Sequence, residues 1–75
     1  MEDLIYTIVE QSSYDEDHIQ QITEYNAKQY EVQMYDAIKE TRYFLDINLY
    51  EMTLCEIDPK SRKRWSYETI NLEKR

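Results

Sequence analysis

Glycine is absent from all 75 residues, and proline and cysteine occur once each. Without glycine there is no phosphate-cradling loop of the P-loop or dinucleotide type. A nucleophile elbow is excluded for the same reason. One cysteine rules out an intrachain disulfide framework, and Cys55 suits a reducing compartment as a small core residue. Long apolar runs are missing too, since no segment approaches the roughly 18 residues of a membrane span. The start, Met1-Glu2-Asp3, is acidic where a secretory signal needs a basic beginning. A cytoplasmic location is therefore expected.

Acids are abundant. Asp and Glu number 16 against nine Lys and Arg, a net charge of −7. The distribution is polarised: residues 1–58 carry 14 acids against Lys28, Lys39 and Arg42, a net of −11. Residues 59–75 carry six bases against Glu68 and Glu73, a net of +4. An acidic body of this kind repels phosphate over most of its surface and suits a basic protein surface instead. Ten aromatic residues, eight of them tyrosine, argue for an ordered chain despite 33% charged residues. At this length the chain is one small domain, 1–75, with roughly 3–5 kcal/mol of stability from its core.

The strongest punctuation is Asp58-Pro59-Lys60-Ser61, which predicts a turn. The β-prone runs 49–57 and 65–72 on either side predict a hairpin. Leu45, Leu49 and Met52 also fit a helical face, so periodicity leaves 44–57 open between strand and helix. Ser13 followed by Glu16 has the form of a capping box, with Asp15, Glu16 and Asp17 in the first turn after it. A helix from about residue 14 follows. If unbroken to 41 it would run about 40 Å, enough to call for a second chain and hence a homodimer. If it breaks near 26–29, residues 30–34 can form an alternating strand. Residues 4–9 hold Leu4/Ile8 and Ile5/Val9 at helical spacing, but four β-branched residues and a tyrosine in 5–9 favour a strand at 3–10. The expected fold class is α+β: N-terminal strand, central helix and C-terminal β-hairpin, with an all-α bundle as the alternative.

No motif places the chain in a family, and no enzyme signature is present. A Cys55/His18 nucleophile pair lacks a visible orienting group. Asp15-Glu16-Asp17-His18 is the nearest approach to a metal-ligand cluster, but consecutive helical residues point to different faces. No catalytic residue, metal or cofactor is expected.

Two features point to binding. Asp3, Glu10, Asp17, Glu24 and Glu31 recur every seven residues, which on helices would line carboxylates along one face. Such a row can imitate the phosphates of DNA, although a solvated helix face gives the same pattern. Tyrosines Tyr25, Tyr30, Tyr35, Tyr43 and Tyr50 lie among the acids and supply stiff contact area. The expected function is a small acidic inhibitor or adaptor that occludes a basic surface, such as that of a nucleic-acid-binding protein. Asp17, Glu24 and Glu31 would supply charge, and Tyr25, Tyr30 and Tyr35 contact area. In size and charge the chain resembles small phage-borne proteins that block host defence, an analogy of composition alone. The alternative is a dimeric nucleic-acid-associated regulator touching phosphate through Lys60, Arg62, Lys63 and Arg64, with Trp65 stacking on a base.

Overall fold

The computed structural model describes residues 2–72. Helix α1 (Glu2–Gln11) leads through a single 3-10 turn (Glu16–His18) into five strands. These are β1 (Ile19–Asn26), β2 (Gln29–Asp36), β3 (Thr41–Asn48), β4 (Thr53–Ile57) and β5 (Arg64–Thr69). All neighbours pair antiparallel, and sheet order follows chain order. Met1 and residues 73–75, which include Lys74 and Arg75 of the basic C-terminal segment, lie outside the described residues.

This sheet-dominated fold overturns the expected α+β arrangement with a central helix, and the all-α alternative with it. The segment 3–10 is a helix, because burying Ile5, Ile8 and Val9 on one face outweighs the strand preference of its β-branched residues. Ser12 ends that helix: its N–H and hydroxyl both donate to the Val9 carbonyl, and its oxygen accepts from the Tyr14 N–H.

The expected helix from residue 14 is also absent. Ser13 does not cap Glu16; its N–H and hydroxyl bind the Glu68 carboxylate of β5. Asp15 caps only the 3-10 turn, accepting from the Asp17 N–H at 2.9 Å. Beyond it, apolar burial has period two: Tyr30, Val32 and Met34 are buried, and Glu31 and Gln33 between them are half-buried. A strand satisfies that alternation and a helix does not. With no helix over 14–41, the length argument for a homodimer falls. In the stretch 44–57, strand wins over helix: β3 and β4 flank a turn at 49–52.

One face of the sheet packs on α1. Ile5, Ile8 and Val9 meet Tyr30, Val32, Met34, Leu45, Ile47, Leu54 and Ile70, all 7% exposed or less. The other face carries Glu31 and Gln33 of β2, Phe44 and Asp46 of β3, and Cys55 and Ile57 of β4, as the register requires. Among the described residues no helix covers that face, yet Asp46, Cys55 and Ile57 are buried. The β4–β5 turn and β5 provide cover. Arg62 lies over the Phe44 ring at 5.2 Å, Arg64 reaches Asp46 at 3.2 Å, and Tyr67 stands beside Cys55.

The hairpin loops share one template. Asp36, Asn48 and Asp58 each accept two backbone N–H groups, from the residues two and three positions on. Four positions after each stands a left-handed residue: Glu40 (φ 54°), Met52 (φ 54°) and Arg62 (φ 62°). The β1–β2 turn uses Asn26 alone, which accepts from Lys28 N–H at 2.8 Å. A fourth left-handed residue, Ser66 (φ 61°), lies where the β4–β5 register shifts. Each non-glycine residue in this region costs about 1–2 kcal/mol, offset here by the side-chain bonds that close the loops.

Candidate protein-binding surface

The seven-residue acidic spacing does not produce a row. Asp3 and Glu10 lie on α1, Asp17 in the 3-10 turn, Glu24 on β1 and Glu31 on β2. Glu24 pairs with Tyr30 and so faces the helix side, while Glu31 faces the other. A row of carboxylates along one helical face fails at Asp17, Glu24 and Glu31, which lie in a 3-10 turn and in two strands.

Glu31 is already engaged. Its Oε1 accepts from Arg62 at 3.0 Å and from the Tyr25 hydroxyl at 2.6 Å. The Tyr25 hydroxyl is held above its usual pKa mainly by this bond, with burial and the Glu31 charge adding to it. Tyr30 is only 1% exposed, and its hydroxyl bonds the Ala27 carbonyl, so it belongs to the core rather than to a contact surface. Tyr35 is half-buried on β2, with Arg42 at 5.9 Å over its ring. Of the three expected contact tyrosines, Tyr25 alone is broadly exposed.

The basic turn is likewise partly consumed. Arg62 and Arg64 hold Glu31 and Asp46 in ion pairs, which leaves Lys60 and Lys63 as the cations of this turn without an ion pair among the described residues. Trp65 is exposed on β5. His18 and Cys55 stand on opposite sides of the sheet: the His18 ring meets the Tyr43 hydroxyl on the helix side, and Cys55 pairs with Asp46 on the other. Burial, and then the Asp46 charge, push the Cys55 thiol up, which disfavours the thiolate. Among the described residues, no group of three or more His, Cys, Asp or Glu is placed to hold a metal ion. No described helix is long and apolar enough to cross a membrane.

The helix side gathers the remaining charge. Glu10, Asp15, Glu16 and Asp17 converge where α1 gives way to the 3-10 turn. Burial raises the Glu16 carboxyl above its usual range, and the neighbouring charges of Glu10, Asp17 and Asp15 raise it further. Asp15 lies 3.7 Å from the His18 ring. Among the described residues no Lys or Arg forms an ion pair with Asp3, Glu10, Glu16, Asp17 or Glu24.

Two recesses flank this acidic side. A cleft of about 350 Å³ is lined by Tyr14, Asp15, His18, Asp36, Lys39 and Tyr43 among others. Its Tyr14 hydroxyl donates to Glu56 at 3.0 Å and is pushed up to about 12, chiefly by burial, so it serves as a donor and not as a base. A groove of about 280 Å³ runs between α1 and the outer edge of β1, lined by Tyr6, Ile19, Gln20, Gln21 and Ile22. Sequence reasoning missed this groove, because a strand at 3–10 and a helix at 14 cannot bring Tyr6 beside Ile22. The Asp46–Arg64 pair was missed as well, and only the strand register reveals it.

Comparison with protein families, with curated proteins and with solved structures found no match.

Proposed function

We propose that this chain is a small acidic protein-binding module, an inhibitor or adaptor that covers a basic surface on another protein. The observation that carries this reading is the asymmetry of charge across the sheet. On the face away from α1, two arginines neutralise Glu31 and Asp46. On the helix side Glu10, Asp15, Glu16, Asp17 and Glu24 lie close to one another or to the free sheet edge without a Lys or Arg partner among the described residues. Uncompensated like charge costs stability in the free protein and is relieved when a cationic partner docks. A nucleic-acid-binding cleft is one such partner, which retains the occlusion mechanism without a regular row of phosphate mimics.

The alternative, phosphate contact through Lys60, Arg62, Lys63 and Arg64, has less support, because Arg62 and Arg64 already hold carboxylates of the same chain.

The test compares the protein with a variant carrying Glu10→Lys, Glu16→Lys and Asp17→Lys, in affinity capture from lysate and in mobility shift with duplex DNA at low salt. Capture of basic proteins that is released by about 0.5 M salt and lost from the variant supports the reading. Capture indifferent to the reversal, or DNA binding abolished by Lys60→Glu and Lys63→Glu, overturns it.

A further inference from the structure

The sheet has two edges, and they differ. The β5 edge is six residues long, begins at Arg64 and contains the left-handed Ser66 where the register shifts, which are features that discourage another strand from adding. The β1 edge is eight residues long, Ile19–Asn26, with one charged residue, Glu24, and neither lysine nor proline. Among the described residues nothing pairs with its outer side. Its register shifts fall between Ile19 and Gln21 and between Glu24 and Asn26, leaving a regular stretch from Gln21 to Glu24. Beside that stretch lies the groove formed with Tyr6 of α1, itself 40% exposed.

We propose that the β1 edge is a strand-addition site for an extended basic segment of the partner protein. This rests on the acidic-module reading and specifies how the partner is held. Main-chain hydrogen bonds to Gln21–Glu24 would supply the register, and side chains would supply the choice of sequence. Ile22 and Glu24 are two residues apart and share the helix-facing side of β1, since they pair with Val32 and Tyr30. An incoming strand therefore meets an apolar wall of Ile22 and Tyr6 and, two positions along on the same face, a carboxylate. The matching sequence places a β-branched residue and a Lys or Arg two positions apart. The opposite face of the incoming strand lies beside Gln21 and Thr23 and takes polar residues.

Charge selects a foreign basic strand over a second copy. Pairing β1 with its own copy would bring together two chains of net −7, each carrying Glu24 on that strand and Asp17 in the turn just before it.

The experiment uses a fluorescent seven-residue peptide, Ser-Val-Thr-Lys-Thr-Val-Ser, which places Val, Lys and Val on one face of a strand. Fluorescence polarisation at low salt is read with amide hydrogen exchange of the whole protein. The expected result is binding that slows exchange within 21–24 and weakens at least tenfold in Glu24→Lys and in Thr23→Lys. It also weakens at least tenfold when alternate peptide nitrogens are methylated, because methylation removes the main-chain donors and keeps the charge. A composition-matched peptide with its Lys moved to the other face binds at least tenfold more weakly. Salt-sensitive binding that tolerates N-methylation overturns strand addition and leaves the acidic-surface reading standing. Failure of these peptides and of polylysine to bind at all overturns both. Concentration-dependent sedimentation as a dimer that Thr23→Lys dissociates identifies a second copy as the occupant and overturns the proposal.

Discussion

The guanidinium of Arg62 stands 3.0 Å from the carboxylate of Glu31, a residue 31 positions earlier and on the far side of β3. The same guanidinium covers the Phe44 ring. A turn that reads in isolation as a loose basic loop is thus fastened to the second strand of the sheet. Arg62 is half-exposed, so the pair is worth a modest amount. A double-mutant cycle of Arg62→Ala and Glu31→Gln should give a coupling of about 0.5–1 kcal/mol, reduced by 0.5 M salt. Urea unfolding of the four proteins measures it, and a coupling of zero at low salt contradicts the fastening.

Arg64 does more than Arg62 because its partner is more enclosed. Asp46 is 7% exposed, and its Oδ2 accepts from the Arg64 Nε. Arg64→Ala should cost about 1–3 kcal/mol by leaving a buried carboxylate with its ion-pair partner removed. Adding Asp46→Asn to that variant should recover part of the loss, as read from urea midpoints. An unchanged midpoint in Arg64→Ala would show that water replaces the guanidinium without penalty.

Leu45 is fully buried at the centre of the sheet, beneath α1. Leu45→Ala should cost about 2–5 kcal/mol, comparable to the whole stability expected of a domain this small. The variant should be largely unfolded at 25 °C, with its sheet signal in circular dichroism lost. A variant that melts cooperatively within a few degrees of the parent would place the core elsewhere.

Glu40 occupies a left-handed position at φ 54° and is exposed. Glu40→Gly should stabilise the protein by about 0.5–1 kcal/mol, since glycine adopts this conformation without a Cβ clash. Glu40→Ala keeps the clash and should give no such gain. Thermal melts of the two variants distinguish relief of the backbone from mere loss of an acidic charge.

Stability should peak in mildly acidic solution. Backbone N–H groups of Lys39 and Ile38 hold the Asp36 carboxyl below its usual range, and those of Ser61 and Lys60 do the same for Asp58. Their contribution is present above the unfolded value of about 3.9 and is lost as pH falls through the lower folded values. Glu16 runs the other way. Its raised carboxyl favours the protonated folded state, so stability rises as pH falls from neutrality toward the Glu16 range. At the alkaline end the Tyr14 hydroxyl, raised to about 12, contributes stability below about pH 10 that is lost progressively between there and 12. Urea midpoints from pH 2 to 11 test all three. Asp36→Asn should flatten the acid limb, Glu16→Gln the rise below neutrality, and Tyr14→Phe the alkaline fall.

The turn at Asp58-Pro59 was legible in the sequence because proline fixes a dihedral and aspartate bonds the next amides. Asn26, Asp36 and Asn48 begin turns by the same side-chain chemistry but have neither proline nor glycine to mark them. Their spacing of 10 to 12 residues is the signal of a strand meander, and it is visible only when Asn and Asp are read as turn-formers in their own right. In residues 4–9 β-branched composition favours a strand against the helical spacing of Leu4/Ile8 and Ile5/Val9. Burial against a sheet that local sequence does not reveal decides that contest. Tyr30 looked like a contact residue by composition, whereas alternation with Val32 and Met34 places it inside. The Glu31–Arg62 and Asp46–Arg64 pairs join residues brought together by strand register, which no local pattern encodes.

The identity of sheet order and chain order has a kinetic consequence. Each strand finds its partner across a connection of a few residues, so no pairing has to close a long loop before it is rewarded. Each of the four hairpins carries its own Asn or Asp latch, and assembly can begin at any of them and spread strand by strand. During synthesis α1 precedes the sheet, and most of the strand residues its apolar face meets, on β2 and β3, follow within the next forty or so residues, with Leu54 and Ile70 completing the core later.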